Sequence, residues 1–277
     1  MQLSTILCPI DFSDHSTAAA QVAAAIARQF DAKLVLLHSF HIHTSMEEYA
    51  ATSTITSHIQ AQEQECKTKL TRLAALFKDD VQCDYVVKAG FACDEIIAAA
   101  ELHQAQLIVM GTLGADSLMD RWLGSVTQSV IQEAKVPVMA IPATFVWEGF
   151  DRITLATDFK TPEPEESMDL LRAFASRFEA TIQVVNVSGH PAPHTVESSA
   201  HAILLEHELA GFPHSWHQEE DRDVTHGLMT FVQAHHSDLL VMTTRRHGLF
   251  DRLFGKSHTN RMASACQIPL LSLPATS

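Results

Sequence analysis

The apolar run Leu107-Ile108-Val109-Met110 breaks into Gly111-Thr112-Leu113-Gly114, and after nine further residues Gly124-Ser125 opens a new helical pattern. A buried strand that gives way to spaced glycines and ends on Gly-Ser before a helix is how α/β proteins hold phosphate. Side chains there would keep backbone N–H groups away from an anion, and the turns are expected to need positive φ. Ser125 is expected to cap a helix over Val126–Ala134, whose N-terminus carries the positive end of its dipole. The spacing is neither the G-x-x-x-x-G-K-[ST] of a P-loop nor the G-x-G-x-x-G of a dinucleotide fold. It predicts a nucleotide site of another kind.

The strand leading into this loop occurs twice. Leu107–Met110 matches Leu239-Leu-Val-Met242, and Val136-Pro-Val-Met-Ala-Ile-Pro142 matches Ile268-Pro-Leu-Leu-Ser-Leu-Pro274. Upstream, Ile6-Leu-Cys-Pro-Ile-Asp11-Phe12 matches Ile153-Thr-Leu-Ala-Thr-Asp158-Phe159, and Ala32-Lys-Leu-Val-Leu-Leu matches Ala180-Thr-Ile-Gln-Val-Val. Four correspondences in one order indicate an internal duplication whose second copy has a shorter middle. The expected domains are 1–144 and 151–277, joined over Ala143–Phe150. On the usual size prior a chain of 277 residues holds two domains of roughly 140 each.

Apolar and amphipathic segments alternate within each copy. In the first, strands are predicted near 4–9, 33–38, 81–87, 106–110 and 137–141, and helices near 15–30, 56–77, 93–103 and 125–134. Ala19, Val22, Ala23, Ile26 and Phe30 fall on one helical face. The strands are almost continuous Leu, Ile and Val, as when helices cover both faces of a parallel sheet. The fold class is therefore α/β: two tandem Rossmann-like domains, each a five-stranded parallel sheet with helices on both faces. In such sheets ligands bind beyond the carboxyl ends of the strands, where the winding reverses. Asp11 and Gly111 would face one crevice there.

Composition excludes several classes. Net charge is −14, shared equally between the halves, so no basic groove for nucleic acid is expected. No stretch approaches the length of a membrane span, and no signal peptide is evident. Cys8, Cys66, Cys83, Cys93 and Cys266 form no C-x-x-C pair, which reads as reduced thiols in a cytoplasm.

The Gly-x2-Gly-x9-Gly-Ser string with Val126-Thr127 behind it, the segment Pro9-Ile10-Asp11-Phe12-Ser13, and Leu36-Leu37-His38-Ser39 together resemble the universal stress protein family in its tandem form. The resemblance covers nearly all of both halves. It implies an ATP site, with or without Mg²⁺, in the first domain. Asp11 would accept hydrogen bonds from ribose hydroxyls, and Pro9, Ile10 and Ser39 would line the adenine. Met110, Gly111 and Gly114 would wrap the ribose and phosphates, while Gly124, Ser125 and Val126 would present N–H groups to the terminal phosphates. Relatives carry Val where this chain has Ser39. A plainer role for Asp11 is to cap the helix beginning near Ser13.

The second copy has lost the loop: Thr243 stands opposite Gly111, and Arg245-Arg246-His247 replaces the region of Gly114 before Gly255-Lys256-Ser257. ATP is not expected there, although Arg245, Arg246, Arg252 and Lys256 form a candidate anion contact. This domain would serve as the partner that relatives obtain by dimerising, with Leu270–Leu273 pairing or packing against Val138–Ile141. A further homodimer stays open. Of seventeen histidines, His38, His41 and His43 follow strand two, His190 and His194 occupy the corresponding loop, and His214 and His217 lie near the third strand of the second copy. Their spacing matches no established zinc pattern. Cys8 beside the Pro9–Asp11 turn could sense redox, and Cys83 could approach Cys93, but small core residues are the plainer reading. No P-loop lysine, Walker-B carboxylate or nucleophile with a matched base is identifiable; Asp116, Asp120 and Arg121 read as loop surface. The expected function is a cytoplasmic stress-response protein that holds ATP as a ligand or signal, with slow hydrolysis at most. Two alternatives are a weak Mg- or Zn-dependent ATPase using the His-rich loops, and a binding module for another small ligand in the second cleft.

Overall fold

Each half lays down five parallel strands. β1 (Thr5–Pro9), β2 (Lys33–Phe40), β3 (Cys83–Ala89), β4 (Leu107–Gly111) and β5 (Val138–Ile141) belong to the first half. β6 (Arg152–Ala156), β7 (Thr181–Ser188), β8 (His214–Glu220), β9 (Leu239–Thr244) and β10 (Leu270–Pro274) belong to the second. Between them run α1 (Asp14–Phe30), α2 (Thr52–Ala75), α3 (Ala92–Leu102), α4 (Ser125–Glu133), α5 (Glu165–Phe178), α6 (Val196–Glu208) and α7 (Val224–Ala234). The computed structural model describes residues 3–41, 52–113, 123–159, 165–189, 196–244 and 267–274. No described helix is long and apolar enough to cross a membrane.

The strands are buried on both sides, as their unbroken apolar runs require. α1, α2, α5 and α6 pack on one face of the sheet, and α3, α4 and α7 on the other. Within each half the order is the doubly wound one expected, but the two sheets are continuous: β3-β2-β1-β4-β5-β10-β9-β6-β7-β8. The join is the antiparallel pair β5–β10, in which Met139 faces Leu271 and its neighbours pair reciprocally, Ala140 with Leu270 and Val138 with Ser272. Met139 and Leu271 are equivalent residues of the repeat, so a local pseudo-twofold axis passes between them, the geometry of an isologous dimer interface.

A second contact lies near that axis. Phe30, at the end of α1, and its equivalent Phe178, at the end of α5, have ring centroids 6.1 Å apart. The segment between the halves is no spacer. Trp147 and Phe150 stack edge-on at 5.0 Å, and both meet Phe178, at 5.7 and 5.3 Å. Phe174 completes the group, 5.3 Å from Phe30 and 5.7 Å from Phe150. Offset and edge-on aromatic pairs of this kind add about 0.5–1.5 kcal/mol each beyond the area they bury. The two halves therefore share one apolar core on this face.

The duplication also shows in strained backbone. The described non-glycine residues with positive φ fall into equivalent pairs: Phe12 (65°) with Phe159 (54°), Asp31 (52°) with Glu179 (54°), and Gln104 (50°) with His236 (52°). The last two pairs lie just past helix ends, where a left-handed residue closes the turn. A phenylalanine in this region costs about 1–3 kcal/mol. At Phe12 that bend lets Asp11 end the strand turn and Ser13 begin the helix within two residues.

Candidate functional site

The carboxyl ends of β1, β2 and β4 open into a cavity of about 430 Å³, roofed by the first turns of α3 and α4. That volume is in the range of small-molecule sites. β1 brings Pro9, Ile10 and Asp11, β2 brings Leu37 and Ser39, and β4 brings Met110 and Gly111; Gly124, Ser125 and Val126 arrive with α4. The structure thus gathers every nominated residue except Gly114, which lies outside the described residues.

Asp11 is exposed and held by a short turn. Its Oδ1 accepts from the Ser13 N–H (3.0 Å) and hydroxyl (2.5 Å). Asp11 does not cap α1; Ser13 does, its hydroxyl oxygen accepting from the Ser16 N–H at 3.2 Å. Ser16, missed in the sequence, lines the cavity and accepts the Asp11 N–H at 3.3 Å. On the opposite face of β2, His38 donates from Nδ1 to the Ile10 carbonyl at 2.7 Å. Its ring lies 4.5 Å from that of Phe12. Burial holds its pKa below the ordinary histidine range, so it is a neutral brace for the Ile10–Asp11 turn.

Two details of the glycine string differ from expectation. α4 begins at Ser125 with Gly124 as its N-cap, in extended conformation and with no side-chain cap bond, so Ser125 is not the cap. The consequence favours an anion. The cap has no side chain to occupy the first amides, and the first turn carries no carboxylate. Gly111 is not a positive-φ residue. A Cβ built on it would lie 3.0 Å from the His15 backbone carbon and oxygen. Its lack of a side chain lets α1 press against the end of β4, whatever a ligand needs. The buried hydroxyl of Thr127, a residue the motif contained without a role, donates to the Gly111 carbonyl at 2.9 Å and ties α4 to β4.

The remaining lining residues, Leu37, Ala92, Ile96 and Leu113, give the cavity apolar walls. Leu37 was legible from Ser39 by the strand period of two. Ala92 and Ile96 were not, because only the crossover of α3 brings them to β1.

The equivalent positions of the second half carry larger side chains. Val224 (8% exposed) replaces Ala92, Val187 (9%) replaces Ser39, and Thr243 (9%) replaces Gly111. A Cβ on Gly227 of α7 would come within 2.7 Å of Val187 Cγ1, so that helix lies tight on the end of β7. Arg245, Arg246, Arg252, Gly255, Lys256 and Ser257 lie outside the described residues.

Among the described residues no group of three or more His, Cys, Asp or Glu could hold a metal ion; His43, His190 and His194 lie outside them, as do Asp116, Asp120 and Arg121. His214 and His217 occupy opposite faces of β8, the first bonded to Glu206 of α6 (3.1 Å) and the second 4.9 Å from the Phe231 ring of α7. Cys8 is fully buried, and burial pushes its thiol far above the range where thiolate forms. Cys83 and Cys93 are free thiols pushed up to about 11, chiefly by burial. Cys83 opens β3 and Cys93 lies beyond its far end, a rise of roughly 20 Å for a strand of this length.

A family model described as the universal stress protein family matches residues 3–142 and again 149–274. A universal stress protein of Methanocaldococcus jannaschii is 30% identical over 138 residues, 49% of this chain and 80% of that protein. Another, of Thermus aquaticus, is 30% identical over 138 residues, 50% of this chain and 97% of its own. The crystal structure of a universal stress protein from Archaeoglobus fulgidus shares the fold across 99% of both chains, with a TM-score of 0.74 at 16% identity.

Proposed function

The chain belongs to the universal stress protein family and carries the family's domain twice, and from that premise we propose that its first half binds an adenine nucleotide, ATP with or without Mg²⁺, as part of a cytoplasmic stress response. One observation carries the reading: a single cavity joins an apolar pocket, a fixed carboxylate and a helix start whose cap has no side chain. Those are the needs of a base, a ribose and a phosphate chain, in that order. Ile10, Leu37, Ile96 and Met110 would enclose the base, and Asp11, an acceptor only, suits ribose hydroxyls. The amides of Ser125, Val126 and Thr127 would meet phosphate at the positive end of α4.

Nucleotide would be a ligand or signal here, with turnover slow at most. Among the described residues that line the cavity, Asp11 is the one ionisable side chain. The larger side chains at the equivalent positions of the second half fit a supporting role: through β5–β10 and the aromatic cluster it would brace the first half as a second subunit would. A ligand that orders the loops around the cavity could then be sensed by a protein partner.

The test is to denature freshly purified protein, identify any released nucleotide by mass spectrometry, and titrate stripped protein with MgATP. Asp11→Ala is the variant of choice. Substituting Gly111 would disturb α1 and confuse folding with binding. Saturable binding near one ATP per chain, weakened at least tenfold in Asp11→Ala, is expected; no binding by the stripped wild-type chain would refute the reading.

A further inference from the structure

Phe91 is 67% exposed and is the N-cap of α3, where it makes no side-chain cap bond. Both facts count against it locally. Phenylalanine in place of Ser, Thr, Asp or Asn forfeits the bond that satisfies a first-turn amide, and its ring lies in water. Its position is nonetheless fixed. β2 and β3 remain paired up to Phe40 and Ala89, and the Gly90 N–H donates to the Phe40 carbonyl at 3.0 Å. His41 and Phe91 therefore leave the sheet side by side, with ring centroids 4.7 Å apart and planes tilted by 37°. His41 lies two residues beyond Ser39, and Phe91 immediately precedes Ala92; both of those neighbours line the cavity.

The second half supplies an internal control. There the N-cap of α7 is Asp223, whose carboxylate accepts from the Thr225 and His226 amides. Gly189 occupies the place of His41. The same architecture thus forms without either aromatic residue, and with a better cap. The aromatic pair occurs in the half with the cavity described above and is absent from the half that carries Val187, Val224 and Thr243 in place of Ser39, Ala92 and Gly111.

Resting on the nucleotide reading above, we propose that Phe91 and His41 are the outer wall of the base subsite and stack on the purine, so that the site selects a purine over a pyrimidine. A purine offers the larger π surface to an aromatic platform, and a base–aromatic stack is worth about 1–3 kcal/mol by alanine substitution. At 1.4 kcal/mol per decade that range corresponds to about 5- to 140-fold in Kd, and a partly exposed platform belongs at its lower end, about tenfold.

Calorimetric titration of ATP, UTP and inorganic tripolyphosphate into the full chain tests this, with wild type, Phe91→Ala, Phe91→Tyr and Phe91→Asn. Phe91→Ala and Phe91→Asn should weaken ATP about tenfold, narrow the ATP-to-UTP preference and leave tripolyphosphate unchanged, while Phe91→Tyr should retain wild-type affinity. Phe91→Asn should also raise the melting temperature by restoring a cap, so stability and binding move in opposite directions. ATP affinity within twofold of wild type in Phe91→Asn would overturn the assignment while the nucleotide site itself stands. Equal loss of ATP and tripolyphosphate would overturn it as well. Failure of the wild-type chain to bind ATP would remove the nucleotide site, and this assignment with it.

Discussion

Three buried polar side chains meet in the core of the second half where the first half is apolar. Thr154 Oγ1 and Ser237 Oγ are 2.6 Å apart, and each lies 3.3 Å from Gln183 Oε1. Their exposures are 0, 5 and 9% for Thr154, Ser237 and Gln183. The equivalent residues of the first half are Leu7, Val35 and Ala105, all buried in apolar surroundings. Thr154→Val or Ser237→Ala breaks the short bond and leaves one hydroxyl with a single long contact, which should cost about 1–3 kcal/mol. Gln183→Leu loses only the two long contacts and should cost about 1 kcal/mol or less. The triple variant removes every member and leaves no orphan. It should return to within about 1 kcal/mol of wild type, because replacing all partners by apolar groups of similar shape is close to neutral. Valine and leucine are chosen to conserve volume, since Phe231 stands where the first half has Ala99 and a larger residue would overpack the site. Urea unfolding followed by far-UV circular dichroism and by tryptophan fluorescence gives the four free energies. If the triple variant is as unstable as the sum of the single ones, the three groups act independently and the argument fails.

Other outcomes follow from particular contacts. His38→Asn should keep the bond to the Ile10 carbonyl, because Asn186 makes the equivalent bond to Thr157 O at 2.8 Å. Burial lowers the His38 pKa, so below about pH 6.5 the unfolded chain binds a proton that the native one resists, and stability falls as pH drops. Denaturation midpoints at pH 7 and pH 5 should differ less in His38→Asn than in wild type; an unchanged difference would clear His38 of the effect. Gly111→Ala places a Cβ 3.0 Å from the His15 backbone and should cost about 1–3 kcal/mol by overpacking, read by thermal unfolding without ligand; a neutral result would mean α1 yields freely. Phe174→Ala, at a fully buried ring between the halves, should cost about 3–5 kcal/mol, and calorimetry should show whether the halves then melt apart. A single undiminished transition would deny the aromatic cluster its role as the join.

The repeat, the strand order within each half and the cavity residues of β1, β2 and α4 were legible in the amino-acid sequence. Those features are set by local pattern: continuous apolar runs, glycines at strand ends, and Asp-Phe recurring after the first strand of each copy. Much of the site was not. Ala92 and Ile96 reach the cavity only because α3 crosses the sheet, and no spacing along the chain marks that approach. Gly111 read as a phosphate turn but accommodates α1, because the neighbour that a Cβ would strike lies ninety-six residues earlier in the chain. The connection over Ala143–Phe150 read as a linker, although Trp147 and Phe150 belong to a core whose other members come from α1 and α5. By itself the sequence determined that there are two copies of one α/β unit and which of them kept its glycine string. The tertiary structure decided that the copies share one sheet about a local pseudo-twofold axis, and that one apolar core joins them on one face. Periodicity reports which residues turn inward; what they meet there depends on contacts between segments distant in the chain.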